Sequence, residues 1–262
     1  MTARALEDEA RVQGLTALVT GAASARGIGR GVALRLASEG RPLALLDRDG
    51  EGLADVAEQA RSAGAPIVVT ARADIADEDS VDAAITRCEA EAPAIGTLVS
   101  CAGIANPAAF LDVSSTEFHR TLAVNIGGAF HLCRRVLPTM LDQQLGRIVA
   151  ISSTAGQDGG GNFSKTAYAA SKAGLEGLVR GLAKETAGTG VTVNAIAPAN
   201  IDTDIMGGPL EGARREEFIA RTPVGRLGTV DELAELVAFL TGPSGGFTTG
   251  ATYNLNGGMR IG

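Results

Sequence analysis

The sequence predicts a single α/β domain: a doubly wound sheet of about seven parallel strands with helices on both faces. Three observations carry this. Apolar runs of four to eight residues alternate with longer stretches of helical period along nearly all of the 262 residues. The runs are bounded by Gly or Pro and do not alternate apolar with polar, as expected of strands buried on both faces. A glycine-rich turn follows the first run and opens a helical stretch, the order of a βαβ unit that holds phosphate groups.

Taken in order, "LTALVT" (15–20) is the first strand, and "GRGVALRLASEG" continues into the first helix. "PLALLD" (42–47), "PIVVTARAD" (66–74) and "IGTLVSCAG" (95–103) follow as strands, separated by the helical patterns "EGLADVAEQARSAG" and "EDSVDAAITRCEAEA". A long helix near 115–142 leads to "GRIVAISS" (146–153), and a helix at about 166–187 leads to "VTVNAIAP" (191–198). A last helix around 229–240 precedes "GATYNLNGG" (250–258). Residues 1–13 read as an N-terminal extension and 14–262 as one domain, without linker, repeat or low-complexity block. Residues 200–215, with "MGGPLEGARR", lack strong periodicity and read equally as a lid over a site or an ordinary surface loop.

Composition narrows the function. Hydrophobic residues make up 45% and charged ones 20%, enough to bury a full core. Aromatics are only 3% against 35 glycines, so that core relies on small and aliphatic side chains and closely approaching backbones. A net charge of −7 argues against nucleic-acid binding, which needs a basic surface. Cys88, Cys101 and Cys133 are scattered and show no disulfide or zinc-ligand spacing. His119 and His131 have no ligand partner at useful spacing. The charged opening "MTARALEDEARVQG" lacks a signal peptide's apolar run, and no run reaches membrane-spanning length. A soluble protein of the reducing cytoplasm is expected.

The chemistry-bearing residues fall at the carboxyl ends of the strands, where open α/β sheets place their sites. In "TGAASARGIG", Gly21, Gly27 and Gly29 let backbone N–H groups and a helix N-terminus approach a pyrophosphate. Asp47 ends the second strand, where a carboxylate accepts hydrogen bonds from adenosine ribose hydroxyls and repels a 2′-phosphate. Arg26 and Arg48 pull the other way, since either guanidinium suits that phosphate. NAD is therefore favoured and NADP stays possible. Small residues in "SCAG" let backbone lie against a cofactor. Asn125 is followed by Gly127 and Gly128, each costing about 1 kcal/mol inside a helix, so close packing or a kink should compensate. Ser152 and Ser153 end the fifth strand. Tyr168 then stands four residues before Lys172, one turn apart on a shared helix face. Gly174, Gly177 and Gly181 on the same helix argue for close approach of another backbone, including one from a second subunit.

This ordered set resembles the short-chain dehydrogenase/reductase family over about 14–258: "TG…GIG", Asp47, Asp74, "CAG", Asn125, Ser153, Tyr168 and Lys172, then "NAIAPANIDTDI", "RTPVGRLGTVDELAELVAFL" and "TTGATYNLNGG". The last blocks look most like the branch of 3-oxoacyl-carrier-protein reductases and polyol or sugar dehydrogenases. The resemblance implies an enzyme interconverting a secondary alcohol and a ketone with NAD or NADP. It implies Asn125, Ser153, Tyr168 and Lys172 as the catalytic four, with Asn125 holding a proton-relay water. Ser153 is chosen over Ser152 because the family serine stands three places before the glycine matched by Gly156. Cofactor contacts are implied at Gly21, Ser24, Arg26, Gly27, Ile28, Gly29, Asp47 and Arg48, and at Asp74 and Ile75 beside the adenine. They continue at Cys101, Ala102, Gly103, Tyr168, Lys172 and Pro198, with Ile201 and Thr203 at the nicotinamide carboxamide. Subunit contacts through the two long helices and the last strand imply a homotetramer.

The sequence departs from the family pattern in places. Its glycine loop is two residues longer than TGxxxGxG, which leaves open which of Ser24, Ala25 and Arg26 meets phosphate. "SCAG" replaces "NNAG", Ala199 follows Pro198 in place of glycine, and the polar "GQDGGGNFSKTA" lengthens the Ser153–Tyr168 interval. That polar loop (Gln157, Asp158, Asn162, Ser164, Lys165) and the NAD preference favour a polyol, sugar or other small hydroxylated substrate. The alternative is NADPH-linked reduction of a 3-oxoacyl group on an acidic carrier, met by Arg134, Arg135 and Arg180; a minor one is a cofactor-binding regulator without catalysis. A Tyr168 base needs its pKa lowered from about 10, and three units of lowering correspond to about 4 kcal/mol. The Lys172 cation is expected to supply part of this.

Overall fold

Each apolar run forms a strand of one parallel sheet. The computed structural model describes residues 11–161 and 164–261; most of the 1–13 extension and Asn162 of the polar loop lie outside them. The strands are β1 (Thr16–Thr20), β2 (Leu43–Asp47), β3 (Val68–Arg72), β4 (Ile95–Ser100), β5 (Gly146–Ile151), β6 (Val191–Pro198) and β7 (Thr252–Leu255). Their order is β3-β2-β1-β4-β5-β6-β7, with every pairing parallel. The order reverses between β1 and β4, which opens a crevice beyond their carboxyl ends.

Nine α-helices connect these strands among the described residues: α1 (Ile28–Ser38), α2 (Gly50–Ala63), α3 (Glu78–Glu91), α4 (Ser115–Leu122), α5 (Gly128–Asp142), α6 (Ala155–Asp158), α7 (Thr166–Glu185), α8 (Gly212–Ala220) and α9 (Val230–Thr241). Alternate residues of the buried strands feed two cores. On one face Leu18, Leu98 and Ile148 pack with Ile85 of α3, Leu132 of α5 and Val179 of α7. On the other, Val19, Leu45 and Val149 pack with Leu36 of α1, Val56 of α2 and Val237 of α9. At Gly31 an added Cβ would lie 2.1 Å from Val230 Cγ1, so α1 needs glycine where it meets α9.

Side-chain caps start several helices. Asp49 accepts from the Glu51 N–H, Asp77 from Asp79 and Ser80, and capping boxes pair Ser114 with Glu117 and Thr229 with Glu232. Helix α1 differs: its N-cap is Gly27, with no side-chain cap and no acid in the first turn. Its amino end therefore offers partial positive charge to an external anion.

The long helix expected near 115–142 is not continuous. A π-turn over Ala123–Gly127 separates α4 from α5 and accommodates the glycine pair. An added Cβ on Gly128 would lie 2.5 Å from Ile75 Cδ1, so close packing also accounts for it. Residues 200–215 are more ordered than their sequence suggests. They contain a 3-10 turn (Asp204–Met206) and the start of α8, and Leu210, Phe218 and Leu227 form a small separate core.

Candidate active site

Backbone geometry at the β1–α1 turn explains its glycines. Gly21 has a φ of +68°, and a Cβ there would lie 2.9 Å from Ala102 Cα. A Cβ on Gly29 would sit 2.3 Å from the Gly21 carbonyl oxygen. Asp47 joins β2 to this turn. Its Oδ2 accepts the Ala23 N–H at 3.0 Å, and its Oδ1 accepts the N–H groups of Arg48 and Asp49 at 2.7 and 3.2 Å. A carboxylate has about four lone-pair sites, so capacity for ribose hydroxyls remains.

A cleft of about 350 Å³ runs along this edge, lined by Gly21, Ser24, Gly27, Ile28, Gly29, Asp47, Arg48, Asp74, Ile75, Cys101, Ala102, Gly103 and Thr203. Arg26 stands apart from the expected cofactor contacts: its guanidinium turns to Asp202, at 2.5 Å. The cleft holds an anion of the protein's own. Asp204 Oδ2 accepts the Ser24 hydroxyl at 2.9 Å and the Arg26 N–H at 3.2 Å. Donors that seat a carboxylate at an uncapped helix start suit a dinucleotide diphosphate, so these residues fit the cofactor.

A second cavity of about 320 Å³ meets the first at Ile28, Cys101, Gly103, Thr203 and Ile205, and its walls include Ser153, Tyr168, Lys172, Pro198 and Ile201. Tyr168 is 7% exposed and Lys172 4%. Ser153 stands close enough to the Tyr168 hydroxyl for hydrogen bonding to favour its phenolate. The Lys172 Nζ lies 5.6 Å from the Tyr168 ring centroid and donates to the Ile151 carbonyl at 2.8 Å. Burial pushes the phenol up to about 12, and Ser153 offsets only part of this. Burial likewise pushes Lys172 down to about 8. The expected lowering of Tyr168 is thus absent from the cofactor-free chain, because desolvation disfavours charge on both neighbours. Cys101, between the cavities, is pushed up to about 12 by burial and stays a thiol.

The two serines at the end of β5 diverge. Ser152 donates to Glu176 Oε1 at 2.9 Å and to the Lys172 carbonyl at 3.3 Å, while Gln157 donates to the same Glu176 oxygen at 3.3 Å. Ser153 is left beside Tyr168. A Cβ on Gly156 would lie 2.8 Å from the Ala173 nitrogen, so glycine three places after Ser153 lets α6 rest on the backbone of α7. Asn125, in the π-turn, accepts the Ile104 N–H at 2.9 Å and donates to the Ile104 carbonyl and Ser171 Oγ at 3.0 and 2.9 Å. It braces the loop after β4 against the turn that carries Tyr168.

Several residues here escaped the sequence reading. Asp202 and Asp204 tie the 200–215 segment to the glycine turn, but no motif marks acids on one loop for donors on another. Phe218, Arg221 and Met259 line the second cavity; Phe218, the one buried residue of α8, is the only hint available. His119 and His131 bond backbone carbonyls of Ser115 and Ile75. Among the described residues no His, Cys, Asp and Glu cluster suits a metal ion, and no helix is long and apolar enough to cross a membrane.

Known proteins share this architecture and sequence. A family model described as enoyl-(acyl carrier protein) reductase matches residues 21–260. The chain is 38% identical to a 2-dehydro-3-deoxy-L-rhamnonate dehydrogenase (NAD(+)) of Sphingomonas sp., covering 95% of this chain and 96% of the relative. It is 36% identical to a 3-oxoacyl-[acyl-carrier-protein] reductase of Pseudomonas aeruginosa, covering 95% and 99%. A solved short-chain dehydrogenase/reductase from Brucella melitensis, titled a glucose/ribitol dehydrogenase, superposes with a TM-score of 0.85 at 33% identity, covering 95% of this chain and 98% of that one.

Proposed function

Because this chain belongs to the short-chain dehydrogenase/reductase family and is an NAD(P)-dependent oxidoreductase of hydroxyl and keto groups, we propose that it interconverts a secondary alcohol and a ketone on a polyol, sugar or other small hydroxylated compound, with NAD preferred. The observation that carries this reading is the convergence of Ser153, buried Tyr168 and buried Lys172 in one cavity that shares walls with the dinucleotide cleft.

A dinucleotide held along Gly21, Ile28, Asp47 and Gly103 would supply or accept the hydride. Ser153 holds the substrate oxygen by a hydrogen bond, and Tyr168 exchanges a proton with that same oxygen. With its phenol near 12, Tyr168 is protonated at neutral pH, the form that donates when a ketone is reduced. Oxidation needs the phenolate, which nearby positive charge stabilises; Lys172, near 8, still carries that charge at pH 7. Asn125 acts as a positioning residue through Ile104 and Ser171.

The substrate class follows from polarity. Asp158, Ser164, Asn200 and Arg221 line the second cavity together with apolar Phe218 and Met259. The arginines that would greet an acidic carrier are engaged: Arg134 with Glu78 at 3.2 Å, Arg135 with Asp82 and Glu89 at 2.7 Å each, and Arg180 with Glu176 at 3.7 Å. The NAD preference rests on Asp47. We also infer a homotetramer, since Gly177 and Gly181 leave open space on the exposed face of α7.

The test is a panel of polyols, sugars, hydroxy acids and 3-oxoacyl thioesters, each with NAD(H) and NADP(H), on the wild type and Tyr168→Phe. Tyr168→Phe should lose at least about a thousandfold in kcat, as expected for removal of an acid–base group, while binding NADH within a few-fold of wild type. Wild-type turnover in Tyr168→Phe would refute the mechanism. Turnover confined to the thioesters would refute the substrate class.

A further inference from the structure

We propose that Asp202, in the segment between β6 and α8, is a cofactor-selecting residue: it holds Arg26 away from the adenosine ribose and so disfavours NADP. The inference rests on the dinucleotide-site reading and extends it to a residue outside the glycine turn and the β2 end.

Arg26 stands three residues after Ala23, whose N–H bonds the Asp47 carboxylate at 3.0 Å. Arg26 lies between Ser24 and Gly27, which line one cleft with Asp47, so a free guanidinium on this turn can swing towards that carboxylate's position. It would pair there with a 2′-phosphate through two parallel hydrogen bonds. In the structure it is committed elsewhere. Its Nη2 meets Asp202 Oδ1 at 2.5 Å, and the other oxygen of the same carboxylate takes Arg215 Nη1 at 3.0 Å. The Leu210 N–H adds a third donor to Asp202, at 3.3 Å.

The backbone of Arg26 is tethered on the same side, because its N–H donates to Asp204. Re-aiming the guanidinium requires breaking its bond to Asp202. The Arg26 and Asp202 side chains are 34% and 28% exposed, so water and salt screen the pair less than an open surface pair. A second guanidinium at this edge, Arg48, is 60% exposed and lies 3.6 Å from Asp74. A 2′-phosphate would therefore face Asp47 with Arg26 held away, leaving of these two arginines only the exposed, loosely paired Arg48 to offset it.

Dissociation constants for NADH and NADPH, read from nicotinamide fluorescence, test this without turnover. They are compared for wild type, Asp202→Asn, Arg26→Ala and the double variant. Asp202→Asn should shift the NADPH-to-NADH affinity ratio towards NADPH by about tenfold. The double variant should return the ratio to the wild-type value, and Arg26→Ala alone should stay within twofold of it. An unchanged ratio in Asp202→Asn overturns the proposal, and so does a gain that survives in the double variant. Asp202→Ser, measured in parallel, gives the same readout if Asp202→Asn folds poorly. Failure of wild type to bind either dinucleotide would refute the site reading instead.

Discussion

Replacing Lys172 with methionine should abolish turnover and yet stabilise the fold at neutral pH. Burial holds the Lys172 ammonium near 8, against 10.5 for an ordinary lysine. At about 1.4 kcal/mol per pH unit, carrying that charge in the folded state at pH 7 costs about 3 kcal/mol. The folded value lies below the unfolded one, so the unfolded chain binds more protons between about pH 8 and 10.5. The penalty is complete below pH 8, shrinks as pH rises through that window, and is gone above 10.5. Methionine has similar bulk and removes the penalty, but it leaves the Ile151 carbonyl without its donor, a loss of about 1 to 2 kcal/mol. The variant should therefore be about 1 to 2 kcal/mol more stable than wild type at pH 7. Integrating the two titrations, about 2 kcal/mol of that difference should vanish by pH 9.5. Below that pH Tyr168 keeps its proton in the folded chain of both proteins and largely cancels. Urea unfolding of both at pH 7 and 9.5 measures the shift. A stability difference that does not move between the two pH values would refute the claim that the buried ammonium is depressed.

Gly29→Ala should lower the melting temperature by several degrees and weaken NADH binding, because its Cβ would meet backbone of Thr20 and Gly21 at 2.3 to 2.8 Å; Gly14→Ala, with nothing within 4 Å, should be close to neutral in the same melts. The kcat/KM for alcohol oxidation should climb from pH 6 to 8 without a plateau, because with the phenol near 12 the reactive phenolate is a minor species whose share grows about tenfold per pH unit; a flat profile would count against a phenolate base. Light scattering should give about 106 kDa, four chains of 26.5 kDa. Gly177→Leu should lower that mass, since in a lone chain its side chain would meet open space.

The strands were legible because buried parallel strands leave uninterrupted apolar runs, and β6 occupies the 191–198 run read from the sequence. The glycine pair at 127–128 signalled an irregularity in the long helix, and a π-turn stands immediately before Gly128. Less was legible where one buried side chain carries an element. Helix α8 shows a single buried residue, Phe218, among charged neighbours, so no apolar stripe betrays it. Ser153 and Ser152 look alike in sequence; Glu176, two dozen residues away, separates their roles by claiming one of them. The direction of the Tyr168 shift depends on depth of burial, which spacing alone does not encode. The partnership of Arg26 with Asp202 joins residues from opposite ends of the chain.

The Ser152–Glu176–Gln157 network welds the segment carrying Ser153 to the helix carrying Tyr168. The reacting side of the pocket is consequently stiff and set before any substrate arrives. Variation in what the enzyme accepts must then be absorbed opposite, by the 200–215 segment and α8, whose shared apolar core is small: Leu210, Phe218 and Leu227. New substrate ranges should accumulate through changes on that softer side, with the proton-handling machinery carried along untouched.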